Sequence, residues 1–233
     1  MKSRNLDYLR KNLVLTVVQA ISLTLIFTFA VIFKLPPLQI LPIFISLFVL
    51  YLQAKVNRYA FLLGGLNACI YGVVYIIRTL YSSAAFSFFF SFPFQIITFI
   101  NWDRHTEKKK NVTELKFMSN KLRLIVLILM LLCWGALYFV FTSLGSKYML
   151  IDNASTVLGI VSTTLCALCY VEYLPIQLIG YVVNVIMDGT MTLDAPHNVV
   201  WLINSAYGCA CTLIASSSIW KRYGKRLLGV EKS

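Results

Sequence analysis

Eight long apolar stretches, separated by short polar segments, dominate this sequence. A helix needs about 20 apolar residues to cross the roughly 30 Å hydrocarbon core of a bilayer, and each stretch has about that length. The stretches are apolar on every face instead of at alternate positions, which favours helices over the strands of a β-barrel. We therefore predict eight membrane-spanning helices, at residues 13–33, 36–54, 59–77, 82–102, 122–144, 150–171, 173–191 and 197–220.

The composition supports this prediction because it excludes a soluble domain. Hydrophobic residues make up 59% of the 233 residues and charged residues 13%, against about 45–50% and 25% in soluble domains. A single soluble core could not cover that much apolar surface. The chain is therefore predicted to be an all-α membrane protein whose solvent is the lipid bilayer.

The basic residues are placed unevenly along the chain, which carries a formal net charge of +12. When eight spans alternate in direction, all Lys and Arg residues except Lys34, Arg78 and Lys147 lie on one side of the membrane. By the positive-inside rule, both termini and the basic loop 103–121 are predicted to be cytoplasmic. This topological role accounts for the positive charge, so no nucleic-acid partner is expected.

An internal repeat relates the two halves of the chain. The segments Leu62–Gly72 and Leu178–Gly189 resemble one another, and their Asn and Gly residues recur at the same offset. Extending that offset matches the second, third and fourth spans to the last three. Two three-helix units with the same orientation, joined by one helix, form a parallel repeat as in SWEET-type carriers, whose substrate site lies at the repeat interface near the midplane.

The repeat predicts a three-plus-one-plus-three core with an extra N-terminal helix. Each trio ends in a tryptophan, Trp102 or Trp220, which we expect to anchor the helix end at the membrane interface. The predicted organisation is an N-terminal helix (1–34), a first repeat (35–102), a basic cytoplasmic loop (103–121), a linker helix (122–146), a second repeat (147–221) and a basic tail (222–233).

The cysteines and the other reactive side chains do not point to catalysis. All six cysteines lie inside apolar stretches, which is typical of small packing residues. Cys166 and Cys169 have the spacing of a redox or zinc motif, but no second pair and no ligating histidine accompany them. No acid–base pair or nucleophile constellation is visible at matching membrane depth. We predict no metal, no cofactor and no enzymatic activity.

Charged side chains are expected to avoid the middle of every span. The carboxylates Asp152, Glu172, Asp188 and Asp194 all fall near the ends of predicted spans. A carrier that couples transport to protons normally needs a buried carboxylate or histidine. The sequence therefore favours facilitated transport that is independent of an energy source.

Neutral amides and aromatic rings are the candidate substrate-binding groups. An amide donates and accepts hydrogen bonds, as a sugar hydroxyl or a carboxamide requires, and aromatic walls suit a flat or cationic ring. The alternative is that these amides only join neighbouring helices. The candidates are Asn67, Gln95, Asn101, Gln177, Asn184, Asp188, Trp201, Asn204 and Tyr207.

These features resemble the PnuC family of bacterial vitamin transporters over about residues 36–223. The resemblance is carried by the stretch Leu178–Gly189, by the segment from Phe92-Pro93-Phe94-Gln95 through Asn101-Trp102, and by the basic loop that follows. It implies a SWEET-like fold and facilitated diffusion of nicotinamide riboside, or in related branches of thiamine, riboflavin or deoxynucleosides. Phosphorylation by a cytosolic kinase then traps the solute.

The same resemblance implies that Asn184 and the polar residues one to two turns before it face the substrate. Gln177 and Gly180 stand where nicotinamide riboside carriers tend to have Trp, so the particular vitamin stays open. We expect a facilitator for nicotinamide riboside or a related nucleoside-like vitamin, located in the bacterial cytoplasmic (inner) membrane. A carrier for thiamine, riboflavin or a deoxynucleoside, and a non-transporting scaffold or sensor, are the alternatives. A homo-oligomer is left open.

Overall fold

A computed structural model describes residues 2–55, 57–107, 112–113, 115–142 and 148–227, and most of them are helical. The short strands β1 and β2 form a two-stranded antiparallel sheet in the loop after the fourth span. The elements in chain order are α1 (Lys2–Ile32), α2 (Pro37–Ala54), α3 (Tyr59–Ile77), α4 (Tyr81–Ala85), a π-helical turn (Phe86–Ser91), α5 (Phe92–His105), β1 (Thr106–Glu107), β2 (Val112–Thr113), α6 (Asn120–Thr142), α7 (Met149–Ala167), α8 (Tyr173–Asp194), a 3₁₀ turn (Pro196–Asn198) and α9 (Val199–Leu227).

The prediction of eight spans is confirmed in the described part of the chain. Eight helical segments there are long and apolar enough to cross a membrane. They are Asn12–Ile32, Pro37–Ala54, Tyr59–Ile77, Tyr81–Trp102, Asn120–Val140, Met149–Ala167, Tyr173–Asp194 and Pro196–Ser217. Residues 143–147, the tail from residue 228 and the side chain of Trp220 lie outside what is described, so the expectations for them stay predictions.

The spans form two trios, each of which packs as one unit. In the first trio, α3 packs between α2 and the fourth span, which consists of α4, the π-helical turn and α5; in the second, α8 packs between α7 and α9. The trios meet where α2 contacts α9 and where the fourth span contacts α7. Helix α6 packs mainly on α7, and α1 on α9 and α2. The residue boundaries of the predicted repeat units stay a prediction.

The basic end of the bundle is where α2 and α7 end and α3 and α8 begin, next to residues 115–119. The opposite end is where α3 and α8 end and α4 and α9 begin.

An apolar cluster joins the trios at the basic end. The Trp102 indole nitrogen donates to the Cys166 carbonyl across 2.9 Å, and the Trp102 ring packs edge-on against Phe61 with centroids 4.7 Å apart. Since Trp102 is only 1% exposed, the expectation that it is an interfacial anchor is wrong. It packs inside the protein because its indole nitrogen finds an acceptor there.

Two backbone hydrogen bonds of Lys116 join the loop before α6 to the connection between α7 and α8. The Lys116 backbone nitrogen donates to the Cys169 carbonyl (2.7 Å), and the Val171 nitrogen donates to the Lys116 carbonyl (2.9 Å). Arg123 adds an ion pair with Glu172 at 2.7 Å. Helix α7 therefore ends at Ala167, earlier than the predicted residue 171, because Cys169 and Val171 form backbone hydrogen bonds with Lys116.

Left-handed residues other than glycine close three helices. Lys34, Thr79 and Cys169 have φ values of 51°, 58° and 60°. After α1, the Leu35 nitrogen bonds the Ala30 carbonyl (3.0 Å) and the Lys34 nitrogen bonds the Val31 carbonyl (3.2 Å). This is the Schellman arrangement, in which the left-handed position normally holds glycine.

Lys34→Gly should therefore stabilise the protein relative to Lys34→Ala. Both substitutions remove the same exposed side chain, but only glycine relieves the steric cost of the left-handed conformation, about 1 kcal/mol. Thermal unfolding in detergent micelles measures the difference. Equal midpoints for the two variants would contradict a left-handed conformation at this residue.

Candidate functional site

A central cavity of about 260 Å³ lies between the two trios. One water needs only about 10–15 Å³ by this measure, so the cavity has room for a small molecule. Its described lining comes from α2, α3, the fourth span, α7, α8 and α9, and not from α1 or α6. A small void of about 70 Å³ adjoins it toward the basic end, where Phe61, Trp102 and Tyr173 limit it.

Most of the candidates from the sequence line this cavity. They are Asn67, Gln95, Gln177, Asn184, Asp188, Trp201 and Asn204. Gln177, Gly180 and Asn184 are brought together because their spacing places them on one face of α8. Asn67 and Asn184, the matched residues of the repeat, lie on opposite trios and line the same space.

Asn101 and Tyr207 do not line the described cavity, and their expected role in substrate binding stays a prediction. The Asn101 amide donates to the Ala167 carbonyl at 3.3 Å, near the end of α7 and beyond the cavity. Tyr207 is only 2% exposed and packs in an apolar cluster with Leu15 and Ile43 from α1 and α2. Tyr207 therefore lies outside the cavity because its face of α9 packs on α1.

Two amides of the first trio keep an oxygen without a partner. Gln95 donates to the Ser91 hydroxyl at 3.1 Å, and Asn67 donates to the Pro42 carbonyl at 2.9 Å. Their side-chain oxygens are buried and meet no donor in the described part of the chain. Gly64 makes room for Gln95, since a Cβ at this position would lie 2.0 Å from the Gln95 Oε1 atom.

The amides of the second trio also join helices, as the alternative interpretation expected. The Ser46 hydroxyl donates to Asn204 Oδ1 (2.5 Å), and the Ser155 hydroxyl donates to Asn184 Oδ1 (2.5 Å). Gln177 donates to Gln53 across 3.4 Å. These side chains therefore hold the helices together and line the cavity at the same time.

Aromatic rings crowd the half of the cavity near the opposite end. The Tyr71 and Tyr75 rings stack with centroids 5.4 Å apart, and Tyr71 meets Trp201 edge-on at 5.6 Å. Tyr181 lies nearer the basic end, against Gly208, where an added Cβ would come within 2.4 Å of the ring. The opposite end thus offers the rings of Tyr71, Tyr75 and Trp201, whereas the glutamine amides lie toward the basic end.

A buried ion pair, missed in the sequence, lies in the aromatic half. Arg78 follows the predicted span 59–77, yet its side chain is only 7% exposed and contacts Asp188 at 3.1 Å. The guanidinium carbon lies 4.0 Å from the Trp201 ring centroid, a cation–π contact. Asp188 also accepts a hydrogen bond from Ser205 at 2.6 Å. Arg78 and Asp188 are the charged residues in the described cavity lining.

Asp152 is a second buried carboxylate, close to the cavity. It is fully buried, and it accepts hydrogen bonds from the Ser82 backbone nitrogen (3.2 Å) and from the Ser83 hydroxyl. Asp152 and Asp188 lie near helix ends, as expected, but both face the protein interior. The sequence argument against proton coupling rested on the lack of a buried carboxylate or histidine, so it loses its premise.

Comparison with known proteins identifies the family. Residues 36–212 match the family model described as nicotinamide mononucleotide transporter. The chain belongs to this family. The transporter also resembles the solved "Crystal structure of the Vitamin B3 transporter PnuC", with a TM-score of 0.64, 18% sequence identity, and coverage of 86% of this chain and 92% of that chain. No curated protein matches this chain significantly.

These matches confirm the predicted fold and the assignment to a transporter family instead of an enzyme. The family match begins after α1, the helix that contributes nothing to the described cavity lining. The transporter therefore has its cavity inside the part of the chain that the family shares.

Gly208→Ala should destabilise the transporter, whereas Gly135→Ala should not. The added methyl group at residue 208 would overlap the Tyr181 ring, and such overpacking costs about 1–3 kcal/mol. A Cβ at Gly135 meets nothing within 4 Å, so that variant only gains helix propensity. Thermal unfolding in detergent compares the two. A Gly208→Ala midpoint at or above that of Gly135→Ala would contradict the packing of Tyr181.

Proposed function

We propose that this transporter carries nicotinamide riboside, or a closely related nucleoside-like vitamin, across the bilayer by facilitated diffusion. The observation that carries the proposal is the central cavity, which has glutamine amides toward the basic end, the rings of Tyr71, Tyr75 and Trp201 at the opposite end, and no net charge in its described lining. A nucleoside has the same division, with a hydroxylated sugar joined to a flat ring.

The charge balance of the cavity favours a riboside over a mononucleotide. The cation Arg78 is already paired with Asp188. A phosphate group would enter without an unpaired cation in the described lining, and burying an uncompensated charge is costly. A pyridinium ring needs no such partner, because Tyr71, Tyr75 and Trp201 present aromatic groups to a cation.

The unpaired amide oxygens suit the sugar. The oxygens of Asn67 and Gln95 meet no donor in the described structure, and a buried acceptor without a partner costs about 1–3 kcal/mol. Ribose hydroxyls are donors that could satisfy them after a small rotation of each side chain. We therefore propose that the sugar lies toward the basic end and the ring toward the opposite end.

Contacts between the trios on both sides of the cavity support transport by alternating access. At the opposite end, Arg78 contacts Asp188 and Ser83 contacts Asp152. At the basic end, Trp102 contacts Cys166. Rocking of one trio against the other would break one set while the other set holds.

The family resemblance supports a location in the bacterial inner membrane. The distribution of Lys and Arg supports a cytoplasmic position for both termini. A facilitator only equilibrates its solute, so net uptake would depend on a cytosolic kinase that phosphorylates the vitamin.

Exchange in proteoliposomes tests the proposal. Vesicles that contain the purified protein and unlabelled nicotinamide riboside should take up labelled nicotinamide riboside in a saturable manner, faster than protein-free vesicles. Thiamine, riboflavin, deoxynucleosides and nicotinamide mononucleotide serve as competitors. Saturable exchange of one of these instead would reassign the cargo, and no saturable exchange of any would refute the transport of this class of solute.

Asn184→Leu should weaken riboside binding about tenfold. It removes an amide that would bond the solute, and leaving a buried polar group without its partner costs about 1–3 kcal/mol. The Ser155 hydroxyl also loses its acceptor. Asn153→Leu is the matched control, since Asn153 is fully buried on α7, outside the cavity lining, and its amide has no partner in the described chain. Isothermal titration calorimetry in detergent measures both. Equal affinities in the two variants would remove Asn184 from the site.

Facilitated diffusion, if it is the mechanism, also predicts that uptake is independent of a proton gradient. Without a kinase inside the vesicles, labelled riboside should stop accumulating when the two concentrations are equal, and a protonophore should not change that level. Accumulation driven by an imposed pH gradient would contradict facilitated diffusion, and Asp152→Asn and Asp188→Asn would then identify which buried carboxylate couples the proton.

A further inference from the structure

The position of Arg78 in the cavity follows from how α3 ends. The Leu80 backbone nitrogen bonds the Tyr75 carbonyl (2.9 Å), and the Thr79 nitrogen bonds the Ile76 carbonyl (3.1 Å). This tight left-handed turn stops α3 just before Arg78 and reverses the chain, while Leu80 is fully buried. Arg78 remains next to the bundle, and its side chain lines the cavity instead of pointing away from the protein.

Contacts from the second trio hold the guanidinium in place. Its Nη2 atom donates to Asp188 (3.1 Å) and approaches the Met191 sulfur (3.2 Å), while Trp201 covers one face. Both hydrogen bonds use Nη2. The Nε atom is buried and meets no acceptor in the described part of the chain. Because arginine carries five N–H donors in a planar fork, the edge that contains Nε is left for another acceptor.

We propose that Arg78 is a substrate-binding residue that donates a hydrogen bond to a neutral oxygen on the flat ring of the solute. This inference rests on the proposed function and deepens it. The acceptor is neutral because Asp188 already balances the guanidinium and would repel an anion. It belongs to the ring end because Arg78 lies in the half of the cavity that holds Tyr71, Tyr75 and Trp201. In nicotinamide riboside this oxygen is the carboxamide carbonyl.

Arg78→Lys tests this role because it keeps a cation opposite Asp188 but removes the planar fork. The probes are nicotinamide riboside and the pyridinium riboside that lacks the carboxamide. We expect the substitution to weaken binding of nicotinamide riboside at least tenfold and to change binding of the pyridinium riboside less than threefold. Arg123→Lys, which makes the same change at the exposed ion pair with Glu172, should leave both affinities unchanged.

The other outcomes overturn the proposal. An equal loss for both ribosides would assign Arg78 to structural support, and no loss for either would remove it from the site. Nicotinamide mononucleotide is the third probe, and a loss confined to it would assign Arg78 to a phosphate. If Arg78→Lys fails to fold, the double variant Arg78→Gln with Asp188→Asn removes both charges together, and the same comparison of ribosides decides.

Failure of the proposed function would give a different result. In that case the unmodified protein would bind neither riboside. The comparison would then use thiamine, riboflavin and deoxythymidine with the unmodified protein and Arg78→Lys. Selective loss of the ligands that carry a ring carbonyl, riboflavin and deoxythymidine, would still support the role of Arg78. An equal effect on thiamine, which has none, would refute it.

Discussion

The structure depends on one constraint, which is that the bilayer core cannot hydrate a polar group. Backbone groups in this environment must pair within their own helix, and polar side chains must find partners inside the protein or around a cavity. In this chain the amides, several hydroxyls and the Arg78–Asp188 pair collect in the space between the two trios. The central cavity is thus where polarity can be accommodated, and also where a polar solute can be bound.

The same side chains hold the protein together and form the candidate site. Asn184 accepts from Ser155 on the neighbouring helix, and Asn204 accepts from Ser46 of the other trio. A solute that bonds these amides therefore acts directly on the contacts within and between the trios. This coupling between binding and helix packing is what a carrier requires, because the solute must influence which side of the membrane the cavity faces.

Charge in the cavity is balanced rather than absent. Asp188 neutralises Arg78, so the pair supplies directed hydrogen-bond donors without the attraction for anions that a lone arginine would have. Trp201 and Met191 complete the support of the guanidinium. Its partners come from the second trio and Arg78 itself from the first, so a ligand at this position would contact the junction of the two units.

The sequence by itself determined the eight spans, because apolar length is a property of each segment alone. It also located Gln177 and Asn184 on one face of α8, because the spacing of residues along one helix is local too. Tertiary structure decided the rest. Arg78 enters the cavity because Asp188 and Trp201 of the other trio hold its guanidinium there. Tyr207 lies outside the cavity because its face of α9 packs on α1, and Trp102 is buried because Cys166 of the other trio offers an acceptor. Each of these outcomes depends on a neighbour distant in the sequence, which the spacing of residues along one helix does not reveal.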